Sequence, residues 1–187
     1  MGKVVIFSAP SGSGKTTIVK RLLERYAEFE FSISATSRAP RGAEQHGVDY
    51  YFLSQEEFAA KVAADAFVEW EEVYAGTSYG TLKSEVERIW EKGHVILFDV
   101  DVMGGINLKR IFGDKACSIF IMPPSIEELR RRLQGRGTDA PEVIEKRVAK
   151  ASFELEKAPE FDHTVINDEL ERAVTDTCRI LDDFLSR

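Results

Sequence analysis

Cysteine is nearly absent from this chain: Cys117 and Cys178 are the only two among 187 residues. Cys117 lies in an apolar run and Cys178 in a helical pattern. Two buried thiols are expected, rather than a disulfide or a cysteine-based metal site. Histidine is equally sparse. His46, His94 and His163 are isolated and show no metal-ligand spacing, which leaves them structural or surface positions. Long apolar runs are missing as well. The N-terminal one is too short for a signal-peptide core, and no segment approaches the length of a membrane span, so the protein reads as cytoplasmic with no membrane partner. Basic residues are outnumbered, 25 Lys and Arg against 32 Asp and Glu. The net charge of −7 argues against a broad nucleic-acid-binding surface. No internal repeat or low-complexity segment interrupts a length that suits one compact domain with room for an inserted subdomain.

What the chain does have is the stretch SAPSGSGKTT, Ser8 to Thr17. The apolar run Val4–Phe7 leads into it, and a helical pattern with Ile18, Val19, Leu22 and Leu23 on its apolar face leaves it. A strand, a glycine-rich loop and a helix in that order make a P-loop, whose backbone N–H groups cradle phosphate oxygens at the positive end of a helix dipole. Ala9, Pro10, Ser11, Gly12, Ser13, Gly14, Lys15, Thr16 and Thr17 are therefore candidate residues of a nucleoside triphosphate site, ATP by the resemblance described below. Lys15 supplies a mobile charge for the β- and γ-phosphates, and the Thr16 hydroxyl suits Mg²⁺. Ala9 departs from the pattern, standing where its first glycine belongs.

The rest of the chain alternates. Strands are expected at Lys3–Ser8, Glu30–Ser34, His94–Asp99, Ser118–Ile121 and Thr164–Ile166. Helices are expected near Gly14–Tyr26, Thr81–Lys92, Ser125–Gln134, Pro141–Ala158 and Glu169–Leu185. The fold class is thus α/β, a parallel sheet with helices on both faces. Between Ser34 and Thr81 the texture changes to short strands at Tyr50–Leu53 and Phe67–Val73, with Ser54 and Glu57 boxing the start of a helix that runs to about Ala64. An inserted subdomain accounts for this segment. The boundaries are 1–33 and 82–187 for the core and 34–81 for the insertion.

The run Val95–Phe98 ends in Asp99, with Asp101 two residues on. A buried strand that delivers a carboxylate to the sheet edge beside a P-loop can hold Mg²⁺, directly or through water. Three further stretches carry more. FSISATSRAPRGAEQHGVDYYF, FVEWEEVYAGTSYGT and LRRRLQGRGTDAPEVIEKRV, together with Asp99-Val100-Asp101 and Ile166-Asn167-Asp168, closely resemble guanylate kinase over essentially the whole chain. The resemblance implies a P-loop kinase core, a GMP-binding subdomain and a mobile lid at about 134–147. It assigns Arg38, Arg41, Tyr50 and Tyr79 to the phosphate of GMP, where guanidinium forks match phosphate oxygens. Ser34, Glu69, Thr81 and Asp101 would read the guanine edge, whose N1–H and N2–H₂ donors suit carboxylate acceptors. Arg132, Arg136 and Arg147 would close over the triphosphate with Lys15 as the catalytic set, Gly135 and Gly137 supplying flexibility, and Asn167 would approach the adenine.

The implied activity is Mg²⁺-dependent transfer of the γ-phosphoryl group of ATP to GMP, and to dGMP. Two alternatives compete with it. A non-catalytic interaction module would not need Lys15, Thr16, Asp99 and the arginines together. A kinase for another monophosphate would not need the set Glu69, Ser34 and Asp101. Two departures besides Ala9 are Ser78, where a tyrosine often precedes Tyr79, and Met103, where a glutamine is common.

Overall fold

Val4 to Ser8 is buried at every position, as expected of a parallel strand covered on both faces. Around it, the computed structural model describes residues 2–135 and 140–187. In chain order the elements are β1 (Val4–Ser8), α1 (Lys15–Arg25), β2 (Phe29–Phe31), β3 (Ala35–Thr36), β4 (Tyr51–Phe52), α2 (Gln55–Ala63), β5 (Phe67–Tyr74) and β6 (Thr77–Leu82). There follow α3 (Lys83–Glu91), β7 (Val95–Asp99), α4 (Val102–Phe112), β8 (Ala116–Met122), α5 (Ile126–Gly135), α6 (Pro141–Glu156), β9 (His163–Ile166) and α7 (Leu170–Ser186). The chain divides into two compact units. One holds Lys3–Ala27 and Phe98–Arg187, the other Glu28–Leu97 with Gly2, and β7 carries the chain across the boundary.

In the first unit β1 pairs in parallel with β8, and β8 with β9. The apolar face of α4 packs on this sheet. Val102 and Ile106 meet Phe120, Ala158 and Phe161, with the Phe120 and Phe161 rings 5.3 Å apart. A second cluster joins α5 to α6 through Leu129, Leu133, Ile144, Val148 and Ala151. Each valine, leucine, isoleucine or phenylalanine among them contributes about 1.5–3 kcal/mol on burial. Polar staples fix the ends. The Asp162 carboxylate accepts from the N–H of Ser118 at 2.8 Å and its hydroxyl at 2.9 Å, and pairs with Lys109 at 2.8 Å. Burial alone would raise the Asp162 pKa, but these bonds prevail and lower it. Lys3 donates to the carbonyls of Phe184 and Leu185, satisfying the open end of α7. Cys117 on β8 and Cys178 on α7 are both free and buried, and burial pushes the Cys117 thiol up to about 12.

The second unit contains β2 paired in parallel with β7, and a four-stranded sheet in the order β4-β3-β6-β5. Period-2 alternation splits the four-stranded sheet into two faces. Ala35, Phe67 and Leu82 pack on Phe58 of α2, where the Phe58 and Phe67 rings stack at 4.5 Å. The other face carries Glu69 opposite Thr81 and Glu71 opposite Tyr79. The capping box expected at Ser54 and Glu57 is present in both directions. Gly80 is buried between strands. A Cβ there would lie 2.7 Å from the Glu69 carbonyl oxygen and 2.7 Å from the Trp70 Cβ, so no larger residue fits without a shift.

Three expectations need correction. Thr81 does not open a helix: it lies on β6, and α3 begins at Lys83. The second core strand is shifted, since β2 covers Phe29–Phe31 and not the stretch to Ser34. A helix that the periodicity did not suggest, α4, follows the acidic pair, with the Asp101 carboxylate capping it through the Gly104 N–H at 2.8 Å.

Candidate active site

The loop between β1 and α1 forms because two glycines take backbone conformations closed to other residues. Gly12 has φ +94° and Gly14 φ +88°. Ala9 does not: Asp65 is the only non-glycine with positive φ among the described residues, so an alanine is free of strain at this departure from the pattern. Ala9–Thr17 line a cavity of about 390 Å³ together with Asp99, Val100, Asp101, Lys150 and Glu154. Lys15 forms an ion pair with Asp99 and donates to the Val100 carbonyl at 3.1 Å. Thr16 is exposed at the start of α1.

Asn167 is buried, and its side-chain amide donates to the Ser13 carbonyl at 2.7 Å. A Cβ on Gly14 would collide with that amide, so the asparagine packs directly on the loop. Its own carbonyl accepts from Arg132 at 2.9 Å, and Arg132 also pairs with Glu128 at 2.8 Å. Arg147 reaches the Ser11 hydroxyl at 3.4 Å. Lys15, Thr16, Asp99, Arg132, Arg147 and Asn167 thus all belong to the unit that contains the loop. Arg136 lies outside the described residues. The neighbouring Arg130 and Arg131 pair with Glu145 and Glu128 on the exposed helix surface. Hydrogen bonds from Arg131 and Arg132 hold the Glu128 carboxyl at about 2.

The other unit gathers the remaining candidates except Asp101, which stays in the loop-containing unit as the cap of α4. Arg38 donates from Nε to the Tyr79 hydroxyl at 3.1 Å and from both Nη atoms to Glu44 at 2.7 and 2.8 Å. Its guanidinium lies 4.9 Å from the Tyr50 ring centroid, and the Tyr50 and Tyr79 rings are 5.9 Å apart. The Arg38 pair, with an added bond from the Arg41 N–H, holds Glu44 at about 2. Arg41 itself is exposed. On the same polar sheet face the Thr81 hydroxyl donates to Glu69 at 2.8 Å. Ser34 sits just before β3, its carbonyl accepting from the Tyr51 N–H at 2.9 Å. Ser78 contributes through its backbone, donating to the Ser37 hydroxyl, and Met103 is exposed on α4.

Three groups escaped the sequence reading. Glu44 lay in a polar loop with no pattern to single it out. Lys150 and Glu154 follow Arg147 on α6 at spacings of three and seven, so extending the arginine's helix face would have found both. Glu154 is buried and 3.7 Å from Lys150; burial raises its pKa.

Comparison with known proteins bears on the family. The family model described as guanylate kinase matches residues 1–184. A guanylate kinase from Bacteroides thetaiotaomicron is 55% identical over 186 residues, covering 100% of this chain and 91% of that protein. One from Porphyromonas gingivalis is 53% identical, with 100% of both chains covered. The crystal structure of guanylate kinase from Anaplasma phagocytophilum superposes with a TM-score of 0.74 at 31% identity, covering 97% of this chain and 85% of that one. A glycine loop pinned by Asn167, a lysine–aspartate pair at its mouth, an Arg–Tyr cluster on a separate sheet and whole-length relatives all converge: the chain belongs to the guanylate kinase family.

Proposed function

We propose that the chain transfers the γ-phosphoryl group of ATP to GMP with the Ala9–Thr17 cavity as donor site and the polar face around Arg38 and Glu69 as acceptor site. Phosphoryl transfer from ATP to GMP is the activity of this family. The observation that carries the site assignment is the polar sheet face, where a guanidinium fork, two phenols and a Glu69–Thr81 pair stand together on one unit. Arg38, Arg41, Tyr50 and Tyr79 take the phosphate of GMP. Glu69 accepts from N1–H and N2–H₂ and the Ser34 hydroxyl donates to O6, while Thr81, whose one proton goes to Glu69, turns it to O6 once guanine supplies Glu69 with donors. dGMP presents the same base edge and phosphate to these groups, which makes it the second expected acceptor.

On the donor side the loop N–H groups and Lys15 hold the triphosphate. The loosely bonded transition state spreads negative charge over the transferring oxygens, so catalysis is positioning and electrostatic stabilisation. Arg132 and Arg147 approach the loop from α5 and α6; the proposed lid at about 134–147 includes Arg136, outside the described residues. The Thr16 hydroxyl and Asp99 carboxylate are hard oxygen donors, the type Mg²⁺ accepts alongside water and phosphate oxygens. Bound there, Mg²⁺ would supply further neutralisation of the phosphates.

The test is an ADP-release assay with GMP, dGMP, AMP, CMP and UMP. Turnover with the two guanine nucleotides alone is expected; equal turnover with AMP would defeat the acceptor assignment. In the same assay Lys15→Met should lower kcat by orders of magnitude with an unchanged circular dichroism spectrum. Near-normal activity in that variant would remove Lys15 from the donor site.

A further inference from the structure

Glu85 is a carboxylate buried on α3, its side chain only 1% exposed. Charge in such a position is costly unless fully bonded. Here four donors meet it. Arg88 donates from Nε at 2.9 Å and from Nη2 at 2.8 Å, the Ile33 N–H at 2.9 Å and the Tyr51 hydroxyl at 2.9 Å. Arg88 is in turn tied to Glu30, which also binds Lys92 and His94. Covering the apolar face of α3, Val86 and Ile89, would need none of this, because an apolar side chain would serve at position 85.

What the carboxylate ties together is specific. Ile33 immediately precedes Ser34, and Tyr51 immediately follows Tyr50. Strand alternation sends Tyr51 to the core side of β4, where it joins the Phe58 cluster, while Tyr50 stands over Arg38 and Tyr79 on the opposite face. The Tyr51 N–H also donates to the Ser34 carbonyl at 2.9 Å, closing a ring of contacts around these four residues. Ser34 and Tyr50 are therefore held from behind by one anchored anion.

We propose that Glu85 is a positioning residue for the acceptor nucleotide: through the Ile33 N–H and the Tyr51 hydroxyl it sets the backbone that presents Ser34 and Tyr50 before GMP binds. The proposal rests on the assignment of Ser34 and Tyr50 to GMP. A site ordered in advance lowers the cost of binding, so loss of the anchor should appear in GMP affinity and not in the chemical step.

The experiment compares steady-state kinetics of Glu85→Gln, Tyr51→Phe and Ser34→Ala with wild type, varying GMP and ATP separately. Glu85→Gln should raise KM for GMP about tenfold and Tyr51→Phe about threefold, with kcat within about twofold and KM for ATP unchanged. A purely structural role for Glu85 would instead shrink the folded fraction, lowering apparent kcat while leaving KM for GMP alone, and that pattern overturns the proposal. Tyr51→Phe keeps the ring and its packing, so it decides the matter if Glu85→Gln does not fold. Ser34→Ala separates the two levels. If it raises KM for GMP and the anchor variants do not, the anchor idea alone fails; if Ser34→Ala has no effect, the acceptor-site assignment beneath it fails.

Discussion

Asn167 offers the most direct test of how the P-loop is held. Its side-chain amide donates to the Ser13 carbonyl at 2.7 Å, and Ser13 is wholly buried. Asn167→Ala removes that donor but keeps the main-chain carbonyl to which Arg132 donates. A buried carbonyl left without its partner costs about 1–3 kcal/mol. For a chain of this length each kcal/mol lowers Tm by about 2–4 °C, so a fall of about 5 °C is expected. The loosened loop should raise KM for ATP about tenfold and leave KM for GMP unchanged. Asn167→Asp sharpens the test. It is nearly isosteric but turns an acceptor toward an acceptor, so it should be worse than alanine in both readouts. Thermal unfolding and ATP-dependent kinetics on the three proteins decide it. An aspartate variant milder than the alanine one would show that packing, and not the hydrogen bond, holds the loop.

Glu69→Gln should cost roughly 30- to 1,000-fold in kcat/KM for GMP, since one acceptor facing the guanine donors becomes a donor. Thr81 can still donate to the amide oxygen, so thermal stability should hold; normal GMP kinetics would displace Glu69 from the base. Gly80→Ala should destabilise by about 1–3 kcal/mol in urea titration, because its Cβ meets backbone and not a flexible side-chain tip. An unchanged urea midpoint would mean that β5 and β6 separate without cost. Burial would raise the Glu30 pKa, but Lys92, Arg88 and His94 hold it at about 2 against 4.5 for a free glutamate. With a lowered folded-state pKa, its contribution is complete above pH 4.5 and is lost as pH falls toward 2. The gap in urea midpoint between wild type and Glu30→Gln should therefore close across that window; a gap independent of pH would refute the coupling.

The glycine loop was legible because its sequence signal is local. Gly12, Gly14 and Lys15 are neighbours in sequence as well as in space, and buried strands announce themselves by continuous apolar runs. The helix α4 was not legible, for a physical reason. Its first turns carry Gly104 and Gly105, poor helix formers, which are small because Asp101 and Phe161 crowd them; a Cβ on Gly105 would lie 3.0 Å from the Phe161 ring. Gly80 hid β6 in the same way, since a mid-strand glycine reads as a break until the strand beside it is known. Glu44 and Glu85 escaped because their meaning comes from partners brought together by folding. The Glu85 carboxylate meets Ile33 and Tyr51, residues 52 and 34 positions away.

The two cysteines have an experimental consequence. Both are buried, so neither sulfur is open to a labelling reagent while the protein is folded, and burial also holds the Cys117 thiol up at about 12. Both also belong to the unit that contains the glycine loop, and the unit that holds Arg38 and Glu69 has no cysteine. The rate at which a thiol reagent modifies the native chain thus reports opening of one unit alone. Added ATP should slow it if the loop is the donor site as proposed, and added GMP should slow it only to the extent that stabilising the unit of Arg38 and Glu69 stabilises the other. The unmodified wild-type chain therefore carries its own gauge of how strongly its two halves are thermodynamically coupled.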